Sequence, residues 1–169
     1  VLVGIGSRLE LQYLRWMKIP DGVKVIRIDI DPTEMFRLKP DVGIVTDAKL
    51  GARGLVDALS AGLTKRPSRE EEFKTLKAQF RHDIQRVQPQ MGYLDAIREV
   101  LPRDGFFVEE ISQVGFASRF GFPVYQPRTF ITGGYQDNVG FGFMTALGVK
   151  IANPGKPVVS VTGDGGFMF

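Results

Sequence analysis

The sequence predicts an α/β protein made of open parallel sheets with flanking helices, arranged as two successive units. Three observations predict it. Short apolar runs alternate with segments of helical spacing along most of the chain. Several of those runs empty directly into glycine, at Gly4-Ile5-Gly6, Gly133-Gly134 and Gly163-Asp164-Gly165-Gly166. Glycine itself, at 20 of 169 residues, is well above the ~7% of average usage, as tight turns and close backbone approaches require.

The elements follow in order. Residues 1–6 are a short apolar run ending in two glycines, which suits a buried parallel strand. Residues 9–18 carry Leu9, Leu11, Tyr13, Leu14 and Met17 at helical spacing, and Pro20-Asp21-Gly22 is a turn. Residues 23–30 form the clearest strand, with Val23, Val25, Ile26, Ile28 and Ile30. Asp31-Pro32-Thr33-Glu34 reads as a helix start, with Asp31 as N-cap, Pro32 as first helical residue and Glu34 as capping-box carboxylate. Residues 42–45 are a further strand, and Asp47 caps a helix running to about residue 63.

The pattern then changes. Lys65-Arg66-Pro67-Ser68 interrupts it, and Ser68-Arg69-Glu70-Glu71 starts a long polar helix. Its thin stripe of Phe73, Leu76, Phe80, Ile84 and Val87 predicts a connector lying across a surface. A second alternation begins near Pro89: helix 91–101, turn Asp104-Gly105, strand 106–110, a glycine-bearing loop, strand 130–132, helix 138–152 and strand 158–161.

Composition closes off several classes. The chain is 43% hydrophobic and 24% charged, which is globular. It has no Cys, so disulfides, thiolate metal sites and Cys nucleophiles are excluded together. A lone His82, in the polar connector, leaves no multi-His metal site. The net charge of +3 arises in residues 65–88, which hold seven Lys or Arg and four Asp or Glu. The remainder is balanced, with no basic face interleaved with aromatics, so no nucleic-acid partner is expected. No run approaches the ~18 apolar residues of a membrane span, so no membrane partner is expected and a cytoplasmic location is. Both ends fall within apolar runs, from which an internal piece of a longer protein is expected.

Two strand tips are candidates for chemistry. At Gly4-Ile5-Gly6, with Asp29 about where a ribose-binding acid belongs, the third glycine of the dinucleotide fingerprint is replaced by Leu9, which leaves the phosphate turn incomplete. The second tip is stronger. Asp164 follows the apolar strand 158–161 and is flanked by Gly163, Gly165 and Gly166. A lone carboxylate at the carboxyl end of a parallel strand suits Mg²⁺, which takes one or two protein carboxylates and completes its shell with phosphate and water. The flanking glycines let main-chain N–H groups approach those phosphates. An Asp-Gly turn that merely caps a helix is the alternative for this tetrad taken alone.

The surrounding residues extend the pattern. Glu109-Glu110-Ile111-Ser112-Gln113-Val114-Gly115, then Gly133-Gly134 with Val139-Gly140-Phe141-Gly142, then Ala152-Asn153-Pro154 and Gly163-Asp164-Gly165 stand in this order. The series resembles the diphosphate-binding half of the thiamine-diphosphate enzymes, acetolactate synthase and pyruvate oxidase type. Residues 1–66 are similar to the C-terminal part of that family's Rossmann-like middle domain, including Ile28-Asp29-Ile30-Asp31-Pro32. On this resemblance 67–88 is a connector helix and 89–169 the N-terminal part of a truncated diphosphate-binding domain.

The resemblance implies the following. Asp164 ligates a Mg²⁺ that bridges the thiamine diphosphate. Gly163, Gly165 and Gly166, with Gly133 and Gly134, line the cofactor. Val139 wedges between its two rings, and Val114 and Gly115 lie in the loop passing the phosphate end. Phe116 and Ala117 stand where polar phosphate contacts are frequent, Val139 is smaller than the usual residue, and the 133–139 loop is about one residue longer than the family pattern. The middle domain carries FAD in some members; with Leu9 in the turn, FAD is possible but not predicted. A second metal ligand, an Asn, belongs beyond Phe169, and the activating glutamate belongs to a domain before Val1. The chain alone is therefore expected to show no turnover. The implied parent makes or cleaves C–C bonds of small 2-oxo acids as a homodimer or homotetramer. A nucleotide (FAD or ADP) module, or a catalytically dead structural subunit, are the competing readings.

Overall fold

Two three-stranded parallel sheets organise the chain, one in Val1–Pro67 and one in Ser68–Phe169. The computed structural model describes residues 1–9, 19–64, 66–134 and 136–169. The helix expected over 9–18 lies outside the described residues, apart from Leu9.

In the first unit, strands β1 (Leu2–Ile5), β2 (Val25–Asp29) and β3 (Val42–Val45) pair in the order β1-β2-β3. Helices α1 (Glu34–Arg37) and α2 (Ala48–Ser60) follow the second and third strands. The central strand carries the buried Val25 and Ile28. Gly51 of α2 sits directly on Ile28, so close that any Cβ there would strike it. Asp47 caps α2 as its sequence predicts, accepting from Lys49 N at 2.9 Å and Leu50 N at 3.2 Å.

Glu34 departs from the expected capping box. Asp31 holds the turn instead, accepting from the Thr33 N–H at 2.8 Å and the Thr33 hydroxyl at 2.7 Å, and α1 begins only at Glu34. Glu34 turns inward to pair with Arg27, Arg8 and Arg37. Arg27 is fully buried in β2, and its guanidinium also donates to the carbonyls of Ser7, Glu34 and Leu38. A charge this deep demands such a set of partners, and Glu34 serves that need rather than the helix end.

In the second unit, helices α3 (Glu70–Ile84) and α4 (Gln90–Val100) precede strand β4 (Phe106–Glu109). Helix α5 (Gln113–Gly121), strand β5 (Phe130–Thr132), helix α6 (Phe141–Ala152), strand β6 (Val158–Val161) and the single turn α7 (Asp164–Phe167) complete it. The sheet order is β5-β4-β6, so β4 is central, pairing Glu109 with Thr132 on one side and with Val161 on the other. Phe107 is fully buried, stacked on Phe122 at 4.2 Å between centroids, with Met91, Leu94, Leu101 and Ala117 completing the core. Burying one such aromatic contributes roughly 1.5–3 kcal/mol.

The segment expected as a glycine-bearing loop after β4 is helix α5. Ser112 caps it, its Oγ accepting from Gly115 N at 3.0 Å. The stripe on α3 stays half-exposed at Phe73, Leu76 and Phe80. Arg81 ties this helix to its neighbours by donating to the Gly121 carbonyl at 2.7 Å and pairing with Asp95.

Candidate functional site

The second sheet presents three strand tips at one edge. From β4 the chain passes through α5 to β5 on one side, while β6 lies on the other side of β4. The edge beside the tips of β4 and β6 is thus where connections diverge, the place where open parallel sheets gather ligands. The turns found there are 110–112 after β4, 133–134 and 136–140 after β5, and 162–163 after β6.

Asp164 stands at this edge, exposed, as the first residue of α7. Its Oδ1 accepts from Gly165 N at 2.8 Å, and among the described residues Oδ2 carries no hydrogen bond. A Cβ added to Gly165 would meet nothing within 4 Å, so the main chain beside the carboxylate faces open space. Gly134 is equally open, with φ +66° that an L side chain rarely adopts, and the exposed Val139 lies on the same β5–α6 turn. Gly163 lies beside the Ile111 carbonyl, which would stand 3.5 Å from a Cβ placed there.

Gly166 behaves differently from Gly165. It is buried, and a Cβ there would run into the carboxylate of Glu110. Val114 and Gly115 fall in the first turn of α5, not in a loop. Val114 packs towards the core, and the N–H of the buried Gly115 is already given to Ser112. A Cβ on Gly115 would strike the Glu110 carbonyl, so close packing explains this glycine.

Two acidic side chains, Glu109 and Glu110, stand at the tip of β4, and alternation along a strand turns them to opposite faces, so they do not form an acid–base pair. Both are buried, on different partners. Glu109 accepts from Arg119 Nε at 2.9 Å and Nη2 at 2.8 Å, and Arg119 also pairs with the buried Asp137 of the β5–α6 turn. Burial works against the Arg119 charge, but the bonds to Asp137 and Glu109 hold its pKa above the ordinary value. Glu110 accepts from Gly140 N at 2.8 Å, Gly142 N at 2.6 Å and the Thr162 hydroxyl at 2.9 Å. Burial pushes its carboxyl up, and these three donors together hold it below the usual range. Arg119, Asp137 and Thr162 escaped sequence reasoning; the one available signal was a strand ending in two carboxylates, which buried strands do not carry unpaired.

At the tip of β1, the Leu9 side chain lies over Gly4, so close that a Cβ on Gly4 would meet it at 2.9 Å. Asp29 is engaged locally, accepting from Asp31 N at 3.1 Å.

The lone hard carboxylate and bare main chain at 164–165 fit a Mg²⁺–diphosphate group. Among the described residues no three His, Cys, Asp or Glu cluster to cage an ion, so an ion held there needs oxygens from elsewhere, as diphosphate supplies. Among the described residues no helix is long and apolar enough to cross a membrane.

Comparison with known proteins places one segment. Residues 110–169 match the family model described as "Thiamine pyrophosphate enzyme, C-terminal TPP binding domain". The chain is similar to thiamine pyrophosphate enzymes over nearly its whole length. It is 30% identical to a "Probable acetolactate synthase large subunit" of Methanococcus aeolicus, over 99% of this chain and 31% of that protein. It is 32% identical to a "Glyoxylate carboligase" of Escherichia coli, over 100% of this chain and 30% of that protein. It is 25% identical to a "Probable 2-ketoarginine decarboxylase" of Pseudomonas aeruginosa, over 100% and 31%. The chain thus spans about 30% of the length of the curated relatives it matches.

Proposed function

We propose that residues 89–169 hold the Mg²⁺–diphosphate end of thiamine diphosphate in a longer enzyme that makes or cleaves a C–C bond of a small 2-oxo acid, in the manner of acetolactate synthase. One observation carries this reading. Asp164 offers an oxygen without a hydrogen bond among the described residues, at a parallel strand tip beside a stretch of main chain facing open space, within the segment that matches the family's cofactor-binding domain.

In this reading Asp164 would ligate the metal through its carboxylate. The main chain of Gly163 and Gly165 would face the phosphates, with the N–H dipoles of the turn favouring their charge, and the buried Gly166 would seat that turn on Glu110. Gly133 and Gly134 would flank the bound group, and the half-exposed Val139 would offer an apolar support for the thiamine rings. When bound, thiamine diphosphate would supply nucleophilic carbon chemistry toward a carbonyl, and the protein would supply shape and field. Val114 and Gly115, packed into α5, contribute by holding the β4 tip. Residues 1–66 are the middle-domain part, and 67–88 the connector. The names of the relatives support a 2-oxo acid substrate, and a homodimer or homotetramer is the assembly that goes with this reading.

The test is turnover. Full-length enzyme with Mg²⁺ and thiamine diphosphate should decarboxylate or ligate pyruvate, with products read by proton NMR, whereas the 169-residue chain alone should not. Activity from the chain alone, or none from full-length enzyme across a panel of 2-oxo acids, would overturn the assignment.

A further inference from the structure

We propose that Glu110 is the positioning residue of this centre: its buried carboxylate fixes the 163–166 turn against the N-terminus of α6. The proposal rests on the cofactor reading above and adds a residue which that reading does not use.

Glu110 is 1% exposed, yet its two oxygens take donors from two separate segments. Oε1 accepts from Gly140 N and Oε2 from Gly142 N, both at the start of α6. Oε2 also accepts from the Thr162 hydroxyl, two residues before Asp164. The sequence separations are 30, 32 and 52 residues, so the carboxylate ties the end of β4 to the start of α6 and to the turn after β6, beyond the last ladder pairs of the sheet.

Two glycines leave room for it. A Cβ on Gly142 would stand 2.8 Å from Oε2 and 2.9 Å from the Glu110 Cβ, and a Cβ on Gly166 would overlap the same carboxylate. Gly166 is therefore bare because Glu110 lies beneath it, whereas Gly165, with open space above, is the glycine that faces outward. The arrangement needs an acceptor on both oxygens. An amide of identical shape presents one N–H₂ to a backbone N–H, donor against donor, and cannot satisfy all three partners.

The experiment compares wild type, Glu110→Gln and Thr162→Val in the full-length enzyme, each first shown to be folded well above the assay temperature. Binding of Mg²⁺–thiamine diphosphate is measured by calorimetry, and amide hydrogen exchange is read in the absence of cofactor. Expected results are a Kd raised at least about tenfold in Glu110→Gln and less in Thr162→Val. Exchange should rise at least about tenfold across 140–142 and 163–167, with α4 and β4 unchanged. A residue that merely stabilised the fold would leave the Kd of folded protein unmoved. Unchanged Kd, or unchanged exchange over 163–167, in Glu110→Gln overturns the proposal, and Thr162→Val decides in the same way if Glu110→Gln does not fold. Wild type that fails to bind the cofactor sinks the functional reading instead, and the exchange data then decide the positioning role alone.

Discussion

Adjacent glycines at 165 and 166 should respond in opposite ways to alanine. Gly166 is buried, and its new methyl would enter space held by the Glu110 carboxylate. That carboxylate cannot withdraw freely, because it is fixed at 2.8 Å, 2.6 Å and 2.9 Å by Gly140, Gly142 and Thr162. Overpacking costs about 1–3 kcal/mol, and displacing one charge-assisted bond about 1.5–3 kcal/mol more. Gly166→Ala should then lose about 3 kcal/mol and lower Tm by several degrees. At Gly165 the methyl meets open space, and alanine is the better helix former, so Tm should stay within about 2 °C. The cofactor readout reverses the ranking per unit of stability: Gly165→Ala, although stable, should raise the Kd for Mg²⁺–thiamine diphosphate at least about tenfold. Calorimetric scans and titrations on full-length enzyme measure both quantities. An unchanged Tm in Gly166→Ala would refute the packing argument, and wild-type affinity in Gly165→Ala would refute the phosphate cradle.

Other outcomes follow from the same geometry. Arg119→Met leaves the buried Glu109 and Asp137 without their shared partner and should cost about 3 kcal/mol, the low end for a broken buried pair because Arg119 is about a fifth exposed; urea unfolding measures it. The Glu110 carboxyl is held below its ordinary 4.5, so its contribution to stability is complete above that value and is lost as pH falls through the lower folded value. The stability difference between wild type and Glu110→Gln should therefore shrink as pH is taken from about 6 towards 3, and a constant difference would contradict this ionisation state.

The parallel strands were legible because burial on both faces leaves near-continuous apolar runs, as in Val158–Val161. The exposed place of Asp164 at the tip of that strand was legible for a related reason: a carboxylate ending such a run in glycine has few structural duties. Helix α5 was not legible. Gly115 and Gly121 each weaken a helix by about 1 kcal/mol, and only tertiary packing repays them. Gly115 fits beneath the Glu110 carbonyl, and Gly121 lies against Met91. Glu34 misled because its capping pattern is local, whereas the buried Arg27 that claims it sits on the neighbouring strand. The partners of Glu110 are main-chain N–H groups and one hydroxyl dozens of residues away, for which no local pattern exists.

The most direct measurement titrates thiamine diphosphate into full-length wild type and Asp164→Asn, with Mg²⁺ and with the metal chelated. Wild type should lose at least about a hundredfold in affinity on chelation, and Asp164→Asn should bind weakly under both conditions, because the metal's protein ligand is gone. Tight, metal-dependent binding by Asp164→Asn would contradict the account.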